Sequence, residues 1–270
     1  MKIRVTVLDG ARENDKNLGS IFTVLINLLQ QQYKAKIKIF TLRHIRINPC
    51  IGCFNCWLKT PGKCIHSSDS GADILQEILN SNIVIFFTPI VFGGYSSELK
   101  KIIDRFLPIV LPFFKKSHGE THHPPRYSAF PHIAGIGVHP APDENLVKCF
   151  KILVGRNALN LPPSHYSAEV INSTKDSPQT LRTRFRYLLS RTDEFPLRNK
   201  LPSLIHDPSA SILKIPSRKR KALLITGSQK KNTSTSGVLG RYFLKILEKN
   251  NITTELLELK EELIPVSYTH

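Results

Sequence analysis

Residues Asn82–Phe87 read Asn-Ile-Val-Ile-Phe-Phe, an unbroken apolar run after one polar residue. A strand that is apolar throughout is usually buried on both faces, as in a parallel sheet covered by helices. Apolar residues recur at helical spacing before this run, at 74–79, and after it, at 99–106. The stretch therefore predicts an α/β protein built on a parallel sheet.

The alternation of strand and helix continues in both directions along the chain. Further strands are expected at Ile3–Leu8, Lys36–Thr41, Ile133–Val138 and Ser167–Ile171, and further helices at 21–29, 145–154 and 178–192. Together these elements make one complete doubly wound domain over residues 1–195.

Residues 196–220 break this pattern. They contain Pro196, Pro202, Pro208 and Pro216 and lead into the basic run Arg218–Lys221. We interpret this segment as a basic, proline-containing linker, because such runs are most often solvated, and a nucleic-acid or membrane contact is the less favoured alternative.

The N-terminal pattern then begins again. Its elements are a strand at Lys221–Thr226, a helix through 238–247 and a strand at Thr253–Leu259. This repeats the order of residues 2–42, so we expect a truncated second unit of the same kind over 221–265 and a natural chain that continues beyond it. Residues Val266–His270 match the translation of a transposon end used in sequencing adapters, and we expect them to be an artefact.

Composition narrows the class of protein. Hydrophobic residues make up 41% and charged residues 22%, which excludes collagen-like, coiled-coil and wholly disordered chains. The formal net charge of +17 favours anionic partners, including nucleotides and phosphorylated cofactors. No apolar stretch approaches the roughly 20 residues that span a bilayer, and no secretory signal precedes the first strand. We therefore expect a soluble cytoplasmic protein.

Four of the five cysteines lie in one short segment with the spacing Cys50-x2-Cys53-x2-Cys56-x7-Cys64. Three cysteines at successive x2 spacings, closed by a fourth, suit a [4Fe–4S] cluster in which each thiolate reaches a separate iron. Structural zinc usually takes two separated Cys-x2-Cys pairs. Zinc and metal-free thiols remain the alternatives to the cluster.

Ligands of doubly wound sheets bind at the carboxyl ends of the strands. The segments that follow the first four strands are Asp9–Asn17, the cysteine segment, Thr88–Gly94 and His139–Pro140. All four are expected to open on one edge of the sheet, which would place a cofactor and a cluster near each other.

Two stretches carry a family resemblance. Residues Gly52–Cys64 read Gly-Cys-Phe-Asn-Cys-Trp-Leu-Lys-Thr-Pro-Gly-Lys-Cys, and Thr88–Arg105 begins Thr-Pro-Ile-Val-Phe-Gly-Gly-Tyr-Ser-Ser-Glu-Leu. Both closely resemble flavodoxin-fold NAD(P)H-dependent FMN reductases, and the cysteine spacing resembles their iron–sulfur flavoprotein branch. The resemblance implies a flavodoxin-like five-stranded parallel sheet in the order 2-1-3-4-5, with the start of a second similar unit at residue 221.

The resemblance also implies a function. It suggests an FMN-dependent oxidoreductase or electron-transfer flavoprotein that passes electrons between a [4Fe–4S] cluster, the flavin and a small acceptor. The donor would be NAD(P)H or a small redox protein, a homo-oligomer is expected, and nucleic acid is not. A cluster-free quinone, nitro or azo reductase is the first alternative, and a non-enzymatic module that has lost FMN is the second.

In the family, the loop after strand three wraps the flavin ring. By resemblance, the residues in contact with flavin are Thr88, Pro89, Phe92, Gly93 and Gly94. Gly93 and Gly94 allow close approach of the backbone and positive φ, and a helix begins just beyond them. A strand–turn–helix corner without a ligand is the alternative.

The family's phosphate loop follows strand one, and here it departs from the family pattern. It runs Gly-Ala-Arg-Glu-Asn-Asp-Lys-Asn-Leu over residues 10–18. Ala11 and Leu18 replace hydroxyl residues, and Glu13 and Asp15 add charge that repels a phosphate. The candidate phosphate ligands are Gly10, Arg12 and Asn17, so FMN binding by the first unit stays open.

The second copy of this loop keeps the family pattern, Gly-Ser-Gln-Lys-Lys-Asn-Thr-Ser-Thr-Ser over residues 227–236. Its candidate phosphate ligands are Ser228, Asn232, Ser234 and Thr235. A Ser/Thr-rich helix N-cap with no ligand would have the same appearance.

Overall fold

The computed structural model describes residues 2–15, 17–161, 165–197, 221–226 and 235–258. The chain divides into two compact units, residues 1–202 and 203–270. No helix in the described ranges is long and apolar enough to cross a membrane.

The first unit alternates strands and helices. Its strands are β1 (Arg4–Asp9), β2 (Lys36–Thr41), β3 (Ile83–Pro89), β4 (Lys115–Ser117), β5 (Glu120–His122), β6 (His132–His139) and β7 (Tyr166–Asn172). Its helices are α1 (Leu18–Gln31), α2 (Asn55–Leu58), α3 (Gly71–Leu79), α4 (Ser97–Ile103), α5 (Glu144–Leu159) and α6 (Pro178–Ser190), with 3-10 turns at Leu42–His44 and Asp104–Ile109.

Five of these strands form one parallel sheet in the order β2-β1-β3-β6-β7. Counted along the main sheet, this is the predicted 2-1-3-4-5 order, and the predicted flavodoxin-like fold class is confirmed. In register, Val7 of β1 lies between Ile39 of β2 and Ile85 of β3. The central strand β3 is buried at every position except Ile83, as its apolar run predicts.

The sheet has an apolar core on each face. Successive residues of a strand point to opposite faces, so Phe86 packs in the cluster with α3, α4 and α5, whereas Phe87 packs in the cluster with α1 and α6. Both phenylalanines are fully buried. The two layers of helices fix the strand ends, and so they fix the loops at the carboxyl edge.

The polar stretch Gly119–Tyr127 predicts a long loop before the fourth strand of the main sheet, but residues 115–122 form a hairpin. Ser117 pairs with Glu120 across a two-residue turn in which His118 and Gly119 both have positive φ, 54° and 77°. Such a turn matches the twist of a hairpin. An ion pair of 2.7 Å between Glu120 and Arg156 ties the hairpin to α5.

The second unit contains β8 (Lys221–Thr226), α7 (Thr235–Lys249) and β9 (Thr253–Glu258). The two strands are parallel, with Leu224 opposite Leu256. The described part of this unit thus has a strand–helix–strand order. Most of the predicted linker and the tail from residue 259 onward lie outside the described residues.

Candidate functional site

The loops that follow β1, β3 and β6 meet at one edge of the sheet. The backbone amide of Gly10 donates to the carbonyl of Phe87 at 2.8 Å, and that of Ile90 donates to the carbonyl of Val138 at 2.9 Å. The Ser96 hydroxyl also donates to the carbonyl of Gly10 at 2.6 Å. These bonds join the loop after β1 to the segment after β3, as expected for ligand loops of a doubly wound sheet.

Gly10, a predicted phosphate ligand, has a clear packing role. A Cβ at this position would lie 2.8 Å from Leu99 Cβ and 2.9 Å from Ser96 Oγ. Only a residue without a side chain fits here, because the loop lies directly on the start of α4.

The loop after β1 is bonded to its own carboxylates. Asp9 Oδ1 accepts the backbone amide of Ala11 at 3.0 Å. Asp15 Oδ2 accepts both the backbone amide and Nε of Arg12, at 2.8 and 3.2 Å, and Asp15 Oδ1 accepts a terminal guanidinium nitrogen of Arg12 at 3.1 Å. The hydrogen bond to Asp15 raises the pKa of Arg12 above its usual value.

The positions where this loop departs from the family pattern serve the core. Ala11 and Leu18 are 8% and 7% exposed and pack in the cluster beneath α1. Asn17 is the N-cap of α1, and its side chain makes no cap hydrogen bond. Lys16 lies outside the described residues.

A cavity of about 360 Å³ lies above this loop, and Arg12, Glu13, Asp15, Arg43 and His44 are among the residues that line it. A bound phosphate needs N–H donors directed at it. In this structure the amides of Ala11 and Arg12 donate to the chain's own carboxylates. The loop therefore does not fit a phosphate in this conformation.

The buried part of the loop after β3 holds its turn in place. Thr88 and Pro89 are buried, and Thr88 Oγ1 accepts the backbone amide of Ser96 at 3.0 Å. Ser96 is in turn the N-cap of α4, where its hydroxyl accepts the amide of Leu99 at 3.3 Å. The contacts of Thr88 with the chain are therefore structural, and its predicted contact with flavin stays a prediction.

The exposed part of the same loop is a tight turn from Val91 to Gly94, closed by two backbone hydrogen bonds of 3.1 and 2.9 Å. Phe92 and Gly93 both have positive φ, 48° and 75°. The Phe92 side chain is fully exposed. A bulky residue in the left-handed region costs about 1–3 kcal/mol, and such strain is concentrated at functional sites. The turn therefore presents an aromatic ring to solvent at the carboxyl edge.

The cysteine segment lies between β2 and α3. All five cysteines of the chain are free thiols, with Cys56 buried on α2 and Cys53 exposed. Burial raises the pKa of Cys56, and the charges of Cys64, Cys50 and Cys53 raise it further, so these four side chains are near enough to interact. Within the described ranges, no three His, Cys, Asp or Glu side chains are grouped as a metal ion would require.

Four reduced thiols are the ligand chemistry of an iron–sulfur cluster, and in this respect the segment fits one. Binding would require the thiols to move closer together. Two positive-φ residues, Gly52 at 64° and Phe54 at 55°, lie between the first cysteines and allow a tight path for the backbone.

A buried ion pair, missed by sequence reasoning, closes the base of the cysteine segment. Arg105, which is 1% exposed, donates to Asp69 Oδ2 at 2.8 Å, to the carbonyl of Asn48 at 2.9 Å and to the carbonyl of His66 at 3.2 Å. Burial alone would raise the pKa of Asp69, but hydrogen bonds from Arg105 and from the amides of Asn48 and Gly71 lower it to about 2. The only signal in the sequence was an arginine within the apolar face 99–106.

The tryptophan of the cysteine segment anchors its outer side. Trp57 Nε1 donates to the carbonyls of Leu107 and Val110 at 2.9 and 3.0 Å. The Trp57 ring also lies 4.8 Å, centroid to centroid, from the ring of His123, just after the hairpin. The segment is thus held at its base by Arg105 and along its side by Trp57.

Residues 227–234 of the candidate phosphate loop in the second unit lie outside the described residues, and these include Ser228, Asn232 and Ser234. Thr235 is the first residue of α7. The predicted roles of these residues remain predictions.

Comparisons with known proteins agree with this architecture. The family profile described as NADPH-dependent FMN reductase matches residues 3–122. An iron–sulfur flavoprotein of Methanocaldococcus jannaschii is 28% identical over 111 residues, which is 41% of this chain and 55% of that protein. An iron–sulfur flavoprotein of Clostridioides difficile is 29% identical over 102 residues, 37% of this chain and 44% of that protein.

Among solved structures, the NAD(P)H:quinone oxidoreductase of Methanothermobacter marburgensis is similar, with a TM-score of 0.54 and 9% identity over 72% of this chain and 100% of that one. At this identity the likeness shows the fold alone. The chain spans about half the length of the curated relatives it matches. Residues 3–122, which include β1–β3, the cysteine segment and the Phe92 turn, are thus similar to the NADPH-dependent FMN reductases.

Proposed function

We propose that this protein is a flavin-dependent oxidoreductase that passes electrons between a [4Fe–4S] cluster, an FMN-type flavin and a small acceptor. One observation carries the proposal. Residues 3–122 contain both the strained turn that exposes Phe92 and the segment with four free thiols, Cys50–Cys64.

The flavin ring would lie against the turn formed by Phe92, Gly93 and Gly94. Thr88 holds the residues that follow this turn through its hydrogen bond to the amide of Ser96. A bound flavin supplies the hydride and one-electron chemistry itself, and no side-chain acid or base is required. At the opposite end, Gly10, Arg12 and Asn17 would meet the phosphate only after Asp15 has released Arg12.

The cluster would be held by Cys50, Cys53, Cys56 and Cys64. Thiolates and the cluster they bind are anionic, and a buried cation nearby offsets part of that charge. Arg105 is such a cation: burial lowers its pKa, but the hydrogen bond with Asp69 and the charge of Cys64 raise it, so that the net shift is upward. Arg105 is therefore proposed as a positioning residue that both closes the segment and balances its charge.

The partners follow from the same proposal. NAD(P)H or a small redox protein would serve as electron donor, and a small molecule or a second redox protein as acceptor. We also propose a cytoplasmic homo-oligomer.

Two other functions are each favoured by one observation. A cluster-free NAD(P)H-dependent quinone, nitro or azo reductase is favoured because the four thiols are near one another without forming a ligand set. A non-enzymatic module is favoured because the loop after β1 is closed by Asp15.

The visible spectrum of the anaerobically purified protein separates the three. The proposal requires flavin absorption together with a broad cluster shoulder, whereas flavin absorption alone supports the cluster-free reductase and a colourless protein supports the module. Cys53→Ser should abolish the shoulder. Cys149→Ser should retain it, because Cys149 lies on α5, outside the cysteine segment. Equal spectra for the two variants would contradict the proposal.

A further inference from the structure

The loop after β1 is closed by a carboxylate that occupies the position of an anionic ligand. Asp15 binds Arg12 through both of its oxygens, at 2.8 Å to the backbone amide and at 3.1 and 3.2 Å to the guanidinium. A phosphate bound by the same arginine would need the same donors. Asp15 therefore competes with any phosphate for Arg12.

The rest of the loop reinforces this closure. Asp9 takes the amide of Ala11 at 3.0 Å and one guanidinium nitrogen of Arg43 at 2.9 Å, so the other strong cation of the cavity is also paired. The amide of Gly10 donates to Phe87. Three consecutive backbone amides, those of residues 10, 11 and 12, thus have partners within the chain.

The loop also closes on itself through its backbone. The amide of Asp15 donates to the carbonyl of Arg12 at 3.2 Å, and the amide of Leu18 donates to the carbonyl of Asp15 at 3.1 Å. The Asp15 side chain is 12% exposed, whereas that of Arg12 is 49% exposed. Asp15 is therefore held in place by the fold, and Arg12 folds onto it.

We propose that Asp15 is a specificity-determining residue that removes the preference for a phosphorylated flavin. The inference rests on the proposed function, because it assumes that the Phe92 turn binds the flavin ring. Riboflavin and FMN share this ring and differ in the phosphate. The first unit should therefore bind riboflavin about as tightly as FMN.

The test is a fluorescence titration of the full chain with FMN and, separately, with riboflavin. For the unaltered protein, the two Kd values are expected to agree within about threefold. Asp15→Asn releases Arg12 from a charged partner and should tighten FMN binding by about tenfold, equivalent to about 1.4 kcal/mol, without a change for riboflavin. Asp15→Ala, which removes the acceptor altogether, should do the same.

Glu13→Gln is the matched control. Glu13 lines the same cavity and carries the same charge, but its side chain is 75% exposed and lies near His44 rather than Arg12. If Asp15 acts by occupying the backbone amide and the guanidinium of Arg12, Glu13→Gln leaves the ratio of the FMN and riboflavin Kd values unchanged. An equal gain in Glu13→Gln would show a general charge effect and would overturn the proposal.

Other outcomes separate this inference from the proposed function. If the unaltered protein prefers FMN to riboflavin by tenfold or more, the inference is overturned and flavin binding stands. If the unaltered protein binds the two flavins alike and only the Asp15 variants prefer FMN, the inference is supported. If no variant binds either flavin, the proposed function and the inference both fail. Titration with inorganic phosphate gives an independent readout, because the Asp15 variants should bind it more tightly than the unaltered protein.

Discussion

Arg105 and Asp69 form a buried ion pair of 2.8 Å, and their side chains are 1% and 0% exposed. The pair joins the 3-10 turn after α4 to the residues just before α3. Both partners also bind Asn48, which precedes the first cysteine of the cysteine segment. His66, which follows the last cysteine, is bound by Arg105 as well. A single guanidinium thus holds both ends of the cysteine segment.

Removing one partner of this pair should destabilise the fold strongly. Asp69→Asn leaves the buried Arg105 cation without its counter-charge, which costs about 3–5 kcal/mol for a buried pair. Urea unfolding measures the change. The control is Asp104→Asn, which breaks the exposed pair between Lys100 and Asp104 and should cost less than about 1 kcal/mol. Equal losses in the free energy of unfolding for the two variants would show that the Arg105–Asp69 pair does not hold the ends of the cysteine segment.

A methyl group at Gly10 should also be costly. Gly10→Ala places a Cβ 2.8 Å from Leu99 Cβ and 3.2 Å from the carbonyl of Phe87, so the loop after β1 must shift, at about 1–3 kcal/mol. Gly19→Ala is the control, because nothing lies within 4 Å of a Cβ there and alanine favours the helix by about 0.5–1 kcal/mol. Thermal unfolding should therefore move in opposite directions for the two variants. A neutral Gly10→Ala would mean that the loop is not packed on α4.

The strained backbone of Phe92 should cost stability, while its exposed ring should contribute to flavin affinity. Phe92→Gly relieves an unfavourable φ and loses no packing, so the free energy of unfolding should not fall by more than about 1 kcal/mol. Flavin affinity should fall by about tenfold or more, since the exposed ring is lost. Lys34→Gly relaxes a similar φ of 47° outside the carboxyl-edge loops and should leave flavin affinity unchanged. Unaltered flavin affinity in Phe92→Gly would show that the turn is not part of the flavin site.

Stability should depend on pH through His132. Burial, and then the charge of His165, lower the pKa of His132 from 6.5 to about 4. Between these values the unfolded chain binds a proton that the folded chain does not, so the free energy of unfolding falls as the pH falls from about 6.5 to about 4. His132→Asn should flatten this part of the profile. Urea unfolding at the two ends of this pH interval measures the change in the free energy of unfolding. If this change is the same in His132→Asn as in the unaltered protein, His132 is not the source of the pH dependence.

Local sequence pattern was sufficient for the main sheet. The bounds of β2 in that sheet agree with the predicted strand Lys36–Thr41, and those of β8 in the second unit agree with Lys221–Thr226, because alternating or continuous apolar residues define both strands. The hairpin at 115–122 was missed because its strands are short and polar, and only His118-Gly119 marks the turn.

The candidate site was predicted only in part, since its decisive contacts are not local. Asp69 and Arg105 are separated by 36 positions, and only the assembled fold brings them together. The sequence suggested that Asp15 would repel a phosphate and that Arg12 would compensate. In the structure the two bind each other, a pairing that depends on the path of the loop and that no spacing rule gives.

The content of iron and acid-labile sulfide in the anaerobically purified full chain decides whether the cysteine segment holds a [4Fe–4S] cluster. A cubane held by Cys50, Cys53, Cys56 and Cys64 predicts about four iron and about four sulfide per chain, lost in Cys56→Ser and retained in Cys149→Ser. Stoichiometric zinc without sulfide, or iron that persists in Cys56→Ser, would show that these four cysteines do not hold such a cluster.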